Sequence, residues 1–283
     1  MAFWNRSAVS IQKFDAVEKT EGLQEKGIEI MRGTFTGIGV GPGDPELLTL
    51  KAARLIRDCC VAAVPVSDPG LAGPVYEEAS GSSAYGIYLE KCAAYQIALN
   101  AVPELAEKAK LFLPMPMIKD KEVLRKIHDT DASAAEKILD EGKDIIFLTL
   151  GDPTVYSTCM YVHKRLARAG YPTALVPGIT SFCAAAARLD MPLAENREEI
   201  HILPASYGIE DSLHLAGTKI LMKAGRKMPE VKKILVERNM DVRMVQNCGM
   251  KDEQIFKSAE EIPEQAGYYS LLIVKEGKGG EKR

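Results

Sequence analysis

Gly-Asp-Pro occurs twice in this chain, as Gly43-Asp44-Pro45 within GVGPGDPELLTL and as Gly151-Asp152-Pro153 within FLTLGDPTVYST, each time closing an apolar run that reads as a buried strand. In open α/β sheets ligands sit where strand carboxyl ends meet helix starts. The two corners therefore predict a functional cleft between two related α/β lobes. At the second corner Leu150, Gly151 and Asp152 stand at the strand end, and Val155, Tyr156, Ser157 and Thr158 follow as the next helix begins. Asp152 either caps that helix or orients a cationic or hydroxyl-bearing ligand. Pro177-Gly178-Ile179-Thr180-Ser181 repeats the design at the next strand end, where Thr180 and Ser181 can cap a helix or bond a ligand. Two such neighbouring corners predict a pocket.

The alternating Gly37, Gly39, Gly41 and Gly43 invite a dinucleotide-phosphate reading, because glycine lets backbone approach a ligand closely. Three features oppose it. Pro42 lacks an N–H, the spacing departs from G-x-G-x-x-G, and no acidic residue ends the strand Val61–Val66. A structural tight turn and a site for another ligand stay open. The four histidines show no metal-ligand spacing, so no protein-bound metal is expected, and neither G-x-S-x-G nor a P-loop occurs. His128 reads as a solvated residue of a charged helix, and His163 and His201 as structural. Met115 and Met117 read as loop packing rather than a cofactor box.

The elements that must position these residues follow from periodicity. A strand from Gly33 to Val40 leads into the first corner, where Asp44 can cap a helix with Pro45 at its first position. A helix with Leu48, Ala52, Leu55 and Ile56 on one face and a strand at Val61–Val66 complete a βαβ unit. Glu90–Lys110 and Lys119–Glu141 read as amphipathic helices separated by a segment that Pro114 and Pro116 keep from being helical. Ile145–Leu150 reads as a strand covered on both faces and Ala174–Val176 as another. Later strands are expected at Ile200–Leu203, Lys219–Met222, Val242–Gln246 and Tyr268–Val274, with one strong helix at Pro229–Asn239. The expected organisation is a leader at residues 1–31, a mostly parallel α/β lobe at 32–145, a mixed-sheet α/β lobe at 146–275 and a frayed tail at 276–283.

Composition agrees with a two-lobed α/β protein, since 283 residues at about 150 per domain give about two domains. No apolar run approaches the ~18 residues of a membrane span, and a net charge of -3 argues against a nucleic-acid surface. Six cysteines without C-x-x-C pairing predict reduced thiols in a cytoplasmic protein.

Together GIGVGPGDPELLTLKA, LPMPMIKDKE, FLTLGDPTVYST, VPGITSF and YYSLLIVKEG resemble the tetrapyrrole methyltransferases, and LTLGDPTVYST followed by SFCAAAARL is most similar to their precorrin-2 and cobalt-precorrin-2 C-20 subgroup, of cobalamin synthesis. The resemblance runs from about Gly33 to Gly277. It implies a homodimeric enzyme that binds S-adenosylmethionine between its lobes, with a tetrapyrrole in an open trough beside it. It places cofactor contacts on Pro42, Leu150, Gly151, Asp152, Val155, Thr180, Ser181, Met222, Asn247, Cys248 and Ser270. Where many relatives have Asn-Gly-Thr this chain has Asn247-Cys248-Gly249. It implies cations for the substrate carboxylates, with Lys119, Lys121, Arg188, Lys223, Arg226 and Lys227 as candidates and Asp44 beside them, and Tyr156 as a candidate acceptor for a substrate proton. A nicotinamide oxidoreductase and a non-catalytic corrinoid carrier are the alternatives from other classes.

Overall fold

The structure, a computed structural model, describes residues 31–79, 83–207 and 209–275, without the side chains of Tyr207 and Arg226. The expected leader (apart from Met31) and tail, with the Arg226 side chain, lie outside them.

Six strands, β1 (Phe35–Gly39), β2 (Val61–Val66), β3 (Val75–Glu77), β4 (Ala109–Pro114), β5 (Ile145–Thr149) and β6 (Thr173–Val176), form a first sheet in the order β3-β4-β2-β5-β1-β6. Every pairing in it is parallel except that of the short edge strand β3 with β4. The near-continuous apolar strands are explained by helices on both faces. Along β2, Ala62 and Val64 face a core with Ala52 and Ile56 of α1 (Leu50–Asp58) and Ala94, Ile97 and Ala98 of α3 (Ala93–Ala101), which follows the short α2 (Gly86–Lys91). Val61 and Ala63 face the opposite core, with Ala132, Ala135 and Leu139 of α4 (Lys121–Asp140) and Val162 and Leu166 of α5 (Cys159–Arg168). This two-residue alternation lets one strand serve two helical layers.

The second sheet, ordered β10-β9-β11-β8-β7, is mixed: β7 (Ile200–Pro204) runs parallel to β8 (Thr218–Met222), while β9 (Asp241–Gln246), β10 (Gln254–Phe256) and β11 (Ser270–Lys275) pair antiparallel. Its outer face is covered by Met228, Val231 and Leu235 of α7 (Met228–Glu237). Its inner face receives Ala185 and Ala186 of α6 (Ser181–Arg188), which pack on Ile220, Val245, Leu271 and Ile273. Because α6 starts at the end of the last strand of the first sheet, it ties the two sheets together at the Thr180 corner.

Several expectations are corrected. The two Gly-Asp-Pro corners do not head two lobes. They end the neighbouring strands β1 and β5 of one sheet, and Gly41 and Gly151 form a β-bridge between them. The division drawn at 145/146 runs through that sheet, since β5 and β6 belong to it and the second sheet begins only at Ile200. The helical reading of Glu90–Lys110 fails at its end: α3 stops at Ala101, Pro103–Glu107 is a 3-10 turn, and Ala109–Pro114 is the fully buried β4. Lys110 suggested a solvated helix, yet its side chain is buried and its ammonium donates to the carbonyls of Ala106 (3.0 Å) and Lys108. His128 is also buried, stacked on Tyr161 at 4.3 Å between ring centres, because α4 turns that face toward α5.

Candidate functional site

Backbone packing builds the floor of the site. The ends of β1, β5 and β6 converge so tightly that a Cβ at Gly178 would lie 2.2 Å from the Gly151 carbonyl oxygen and 2.8 Å from the carbonyl carbon of Gly39. The alternating glycines of β1 thus serve close packing, Gly39 against the backbone of Gly151 and Gly178 and Gly37 against the side chains of Cys159 and Leu175. At Gly43 a Cβ would lie 2.1 Å from the carbonyl oxygen of Cys248, so the loop after β9 fills the space in which a phosphate would have to meet this turn. Asp44 behaves as its sequence suggests, capping the 3-10 turn Pro45–Leu47 by accepting from Glu46 N at 2.9 Å.

Asp152 fastens the corners together. One carboxylate oxygen accepts from the backbone N–H (2.8 Å) and the hydroxyl of Thr154; the other accepts from Gly178 N–H at 3.0 Å, across 26 residues of sequence. Asp152 is 7% exposed. It does not cap α5, which starts only at Cys159, where Ser157 Oγ accepts from Cys159 N at 3.1 Å. Its second bond instead fixes the start of the Pro177–Ser181 corner. Beside it, the Thr180 hydroxyl is buried with no hydrogen-bond partner among the described residues.

Above this floor a cavity of about 280 Å³ opens between the sheets. The first sheet contributes Pro42, Leu150, Gly151, Asp152, Val155, Tyr156, Thr180 and Ser181, and the second Met222, Lys223, Cys248 and Ser270. Eleven of these twelve are every expected cofactor contact except Asn247, plus Tyr156; the twelfth, Lys223, is an expected substrate cation. Asn247 does not line the cavity. Its amide donates to Asp252 Oδ2 at 2.6 Å, and its left-handed backbone (φ 54°) turns the chain so that Cys248 does. Of the other expected substrate residues, Asp44 is a turn cap, Lys119 and Lys121 are exposed at the start of α4, Arg188 is paired with Glu253, and Lys227 is paired with Glu230 at 2.8 Å. None of these lines the cavity.

The wall also holds residues that periodicity did not reveal: Ser67, Lys91, Phe182, Tyr268 and Tyr269, together with Met115 and Met117, which the sequence suggested were loop packing. Tyr268 and Tyr269 meet edge to face at 5.2 Å, and Met117 is 70% exposed. Lys91 is paired with Asp68 at 3.0 Å. Cys92 and Cys248 are among the lining residues; burial pushes both thiols up, Cys248 to about 11, so both are neutral near pH 7. His163 sits against Phe35 at 6.5 Å and His201 bonds the Ala216 carbonyl at 2.9 Å, both apart from the cavity.

What the cleft offers is backbone polar groups, short hydroxyls, an apolar and aromatic wall and few charges, which suits a nucleoside-bearing ligand beside a large flat one. Residues 34–263 match the sequence profile of the tetrapyrrole (corrin/porphyrin) methylases. The chain belongs to that family. Among its relatives, the probable cobalt-precorrin-2 C(20)-methyltransferase of Methanocaldococcus jannaschii is 36% identical over 248 residues, 86% of this methylase and 96% of the relative. The precorrin-2 C(20)-methyltransferase of a Sinorhizobium species is 29% identical over 253 residues, covering 86% and 95%. Two solved structures share the fold: a cobalt precorrin-4 methyltransferase (TM-score 0.61, 19% identity, covering 86% of this chain and 94% of that one) and the uroporphyrin-III C-methyltransferase of Thermus thermophilus complexed with S-adenosylhomocysteine (TM-score 0.56, 20% identity, covering 86% and 97%). The two-sheet architecture of this methylase is therefore the family fold.

Proposed function

We propose that this methylase transfers a methyl group from S-adenosylmethionine to C-20 of precorrin-2, with or without its central cobalt, in cobalamin biosynthesis. The observation that carries this reading is the convergence of the Gly151, Thr180, Met222 and Ser270 strand ends on one cleft, in a chain 36% identical to a relative named for that reaction. The residues fit the cofactor: the Thr180 hydroxyl, without a hydrogen-bond partner among the described residues, and the neighbouring Ser181 are suited to a nucleoside and an amino-acid moiety, and Met222 and Val155 to an adenine face. When bound, S-adenosylmethionine supplies a methyl already activated by its sulfonium, and the macrocycle carbon supplies the electron pair.

The chain's own task is then to position two ligands and exclude competing nucleophiles. Holding the reacting atoms near ~3 to 3.5 Å and in line removes about 7 to 11 kcal/mol of the barrier that freely diffusing reactants would face. The Asp152 bonds to Thr154 and Gly178 supply rigidity at the cofactor corners. Burial keeps Cys92 and Cys248 protonated, so neither presents a thiolate to an alkylating methyl. The Tyr156 hydroxyl donates to the Ile202 carbonyl at 3.3 Å, which gives it a bridging role in place of proton transfer. The reading carries with it a homodimer in the cytoplasm, supported by the family resemblance and by six unpaired cysteines. No helix among the described residues is long and apolar enough to cross a membrane.

Anaerobic incubation with S-adenosylmethionine and precorrin-2, metal-free and cobalt-loaded, tests the assignment. One added methyl located at C-20 by NMR is the expected result. Methylation at another carbon, or none with either substrate, overturns it. A thermal-shift comparison of S-adenosylhomocysteine with NAD separates it from the oxidoreductase alternative: ligand at 100 times its dissociation constant stabilises by about 2.7 kcal/mol.

A further inference from the structure

Two residues that are not glycine adopt left-handed backbone where the sheets face each other across the cleft: Tyr156 (φ 51°) after β5 and Lys223 (φ 58°) after β8. Side chains of the L series rarely take this conformation, and neither residue is the Asn or Gly that takes it easily. The two hold each other. Lys223 Nζ donates to the Tyr156 carbonyl at 3.3 Å and lies 5.2 Å from the centre of the Tyr156 ring, while the Tyr156 hydroxyl donates to the Ile202 carbonyl of β7. Tyr156 thereby spans from the first sheet to two adjacent strands of the second.

The ammonium so held is chemically incomplete. Lys223 lines the cavity, is half-buried, and has no carboxylate within ion-pair distance among the described residues. Lys91, also in the wall, already has Asp68, and Lys227 and Arg188 are paired outside the cavity. A cation moved out of water toward a carbonyl and a ring face, without a counter-ion, lacks most of the compensation a buried charge needs. Burial accordingly pushes the Lys223 amine down.

Resting on the functional reading above, we propose that Lys223 is the carboxylate anchor of the cleft, pairing with one acidic side chain of the macrocycle, and that Tyr156 is the positioning residue that aims it. The missing counter-ion arrives with the substrate. Tyr156 acts on the substrate only through Lys223: its carbonyl and ring fix the ammonium, and its hydroxyl fixes the ring.

Steady-state kinetics with precorrin-2 test this. Lys223→Asn removes the charge and suits left-handed backbone, and Lys223→Arg keeps the charge. Losing a charge-assisted bond predicts a KM for precorrin-2 raised by about 10- to 150-fold in Lys223→Asn. The dissociation constant of S-adenosylhomocysteine, by calorimetry, should stay within about twofold, which also verifies the fold, and Lys223→Arg should recover most of the loss. Tyr156→Leu should raise KM in the wild-type background and add nothing in Lys223→Asn, whereas a merely structural Tyr156 would add its effect in both. A KM within twofold of wild type in Lys223→Asn, or additive effects in the double variant, overturns the proposal. A wild-type chain that turns over neither form of precorrin-2 overturns the functional reading itself and the anchor with it.

Discussion

Asp152→Asn separates a local cap from a clamp between strand ends. Were Asp152 only a turn or helix cap, asparagine would replace it at a cost of at most ~1 kcal/mol, since the two cap about equally well. The observed bonds predict more. The two donors of Thr154 meet one carboxylate oxygen and Gly178 N–H meets the other at 3.0 Å, in a residue that is 7% exposed. An amide keeps one oxygen. If that oxygen serves Thr154, the NH2 group is turned on Gly178 N–H, so a charge-assisted bond is lost and a backbone donor is left facing another donor. Losing a bond to a charged group costs about 1.5 to 3 kcal/mol, so urea unfolding at pH 7.5 should show a destabilisation of about 2 to 3 kcal/mol with an unchanged slope. Gly178 begins the corner that carries Thr180, and loosening it should weaken S-adenosylhomocysteine about 10-fold by calorimetry. A loss below ~1 kcal/mol would refute the clamp. A full stability loss with cofactor affinity within twofold would confine Asp152 to a structural role.

Thr180→Val should leave stability unchanged or slightly raised, because the buried hydroxyl it removes has no partner, while S-adenosylhomocysteine binds about 2- to 12-fold more weakly, matching one neutral hydrogen bond of ~0.5 to 1.5 kcal/mol; undiminished affinity in calorimetry would show that the hydroxyl does not reach the cofactor. In Gly43→Ala the added methyl would sit 2.1 Å from the Cys248 carbonyl oxygen, so the two loops must part, costing about 1 to 3 kcal/mol in thermal or urea unfolding; a neutral substitution would refute the close approach. Asp131, buried on α4 near Arg165 of α5, with neither carboxylate oxygen hydrogen-bonded among the described residues, is pushed up to about 7 by burial, so between about pH 4 and 7 the folded chain holds a proton that the unfolded chain has released and stability falls as pH rises. The stability of Asp131→Asn relative to wild type should therefore grow across that window, by at most ~4 kcal/mol, and then level; parallel pH profiles would refute it.

The parts of the site legible in the sequence were those written in short-range chemistry. Gly-Asp-Pro, Pro-Gly-Ile-Thr-Ser and the apolar runs before them mark strand ends whatever their order in the sheet, so Gly151, Asp152, Thr180 and Ser181 could be named as neighbours in a pocket. What periodicity could not show is which strands pair. The order β5-β1-β6 places both Gly-Asp-Pro corners in one sheet, and it depends on crossovers of more than twenty residues that leave no local trace. The same limit hid the bond from Asp152 to Gly178, and so suggested a cap where the chain has a clamp.

Charge misled in one direction. Lys110 in β4 and His128 and Asp131 in α4 stand among residues that read as solvated, yet all three are buried, each for a reason only the fold supplies: backbone carbonyls for Lys110, the Tyr161 ring for His128, and the α4–α5 packing for Asp131. In the second sheet Met222, Cys248 and Ser270 were reachable only by resemblance, because each lies at or just beyond the limit of a strand and none stands in a Gly-Asp-Pro or Pro-Gly-Ile-Thr-Ser corner. Tyr156 and Lys223 are the sharpest case. Nothing in their residue types signals a left-handed backbone, and the sequence places them 67 residues apart. Strain of that kind persists only where the surrounding structure imposes it and tends to gather at functional sites. Here two instances meet across a cleft that other observations had already located, around an ammonium that lacks its counter-ion. The residues hardest to read from the sequence are thus the ones whose positions are set from both sheets at once, and a ligand held between the sheets must be recognised by such residues.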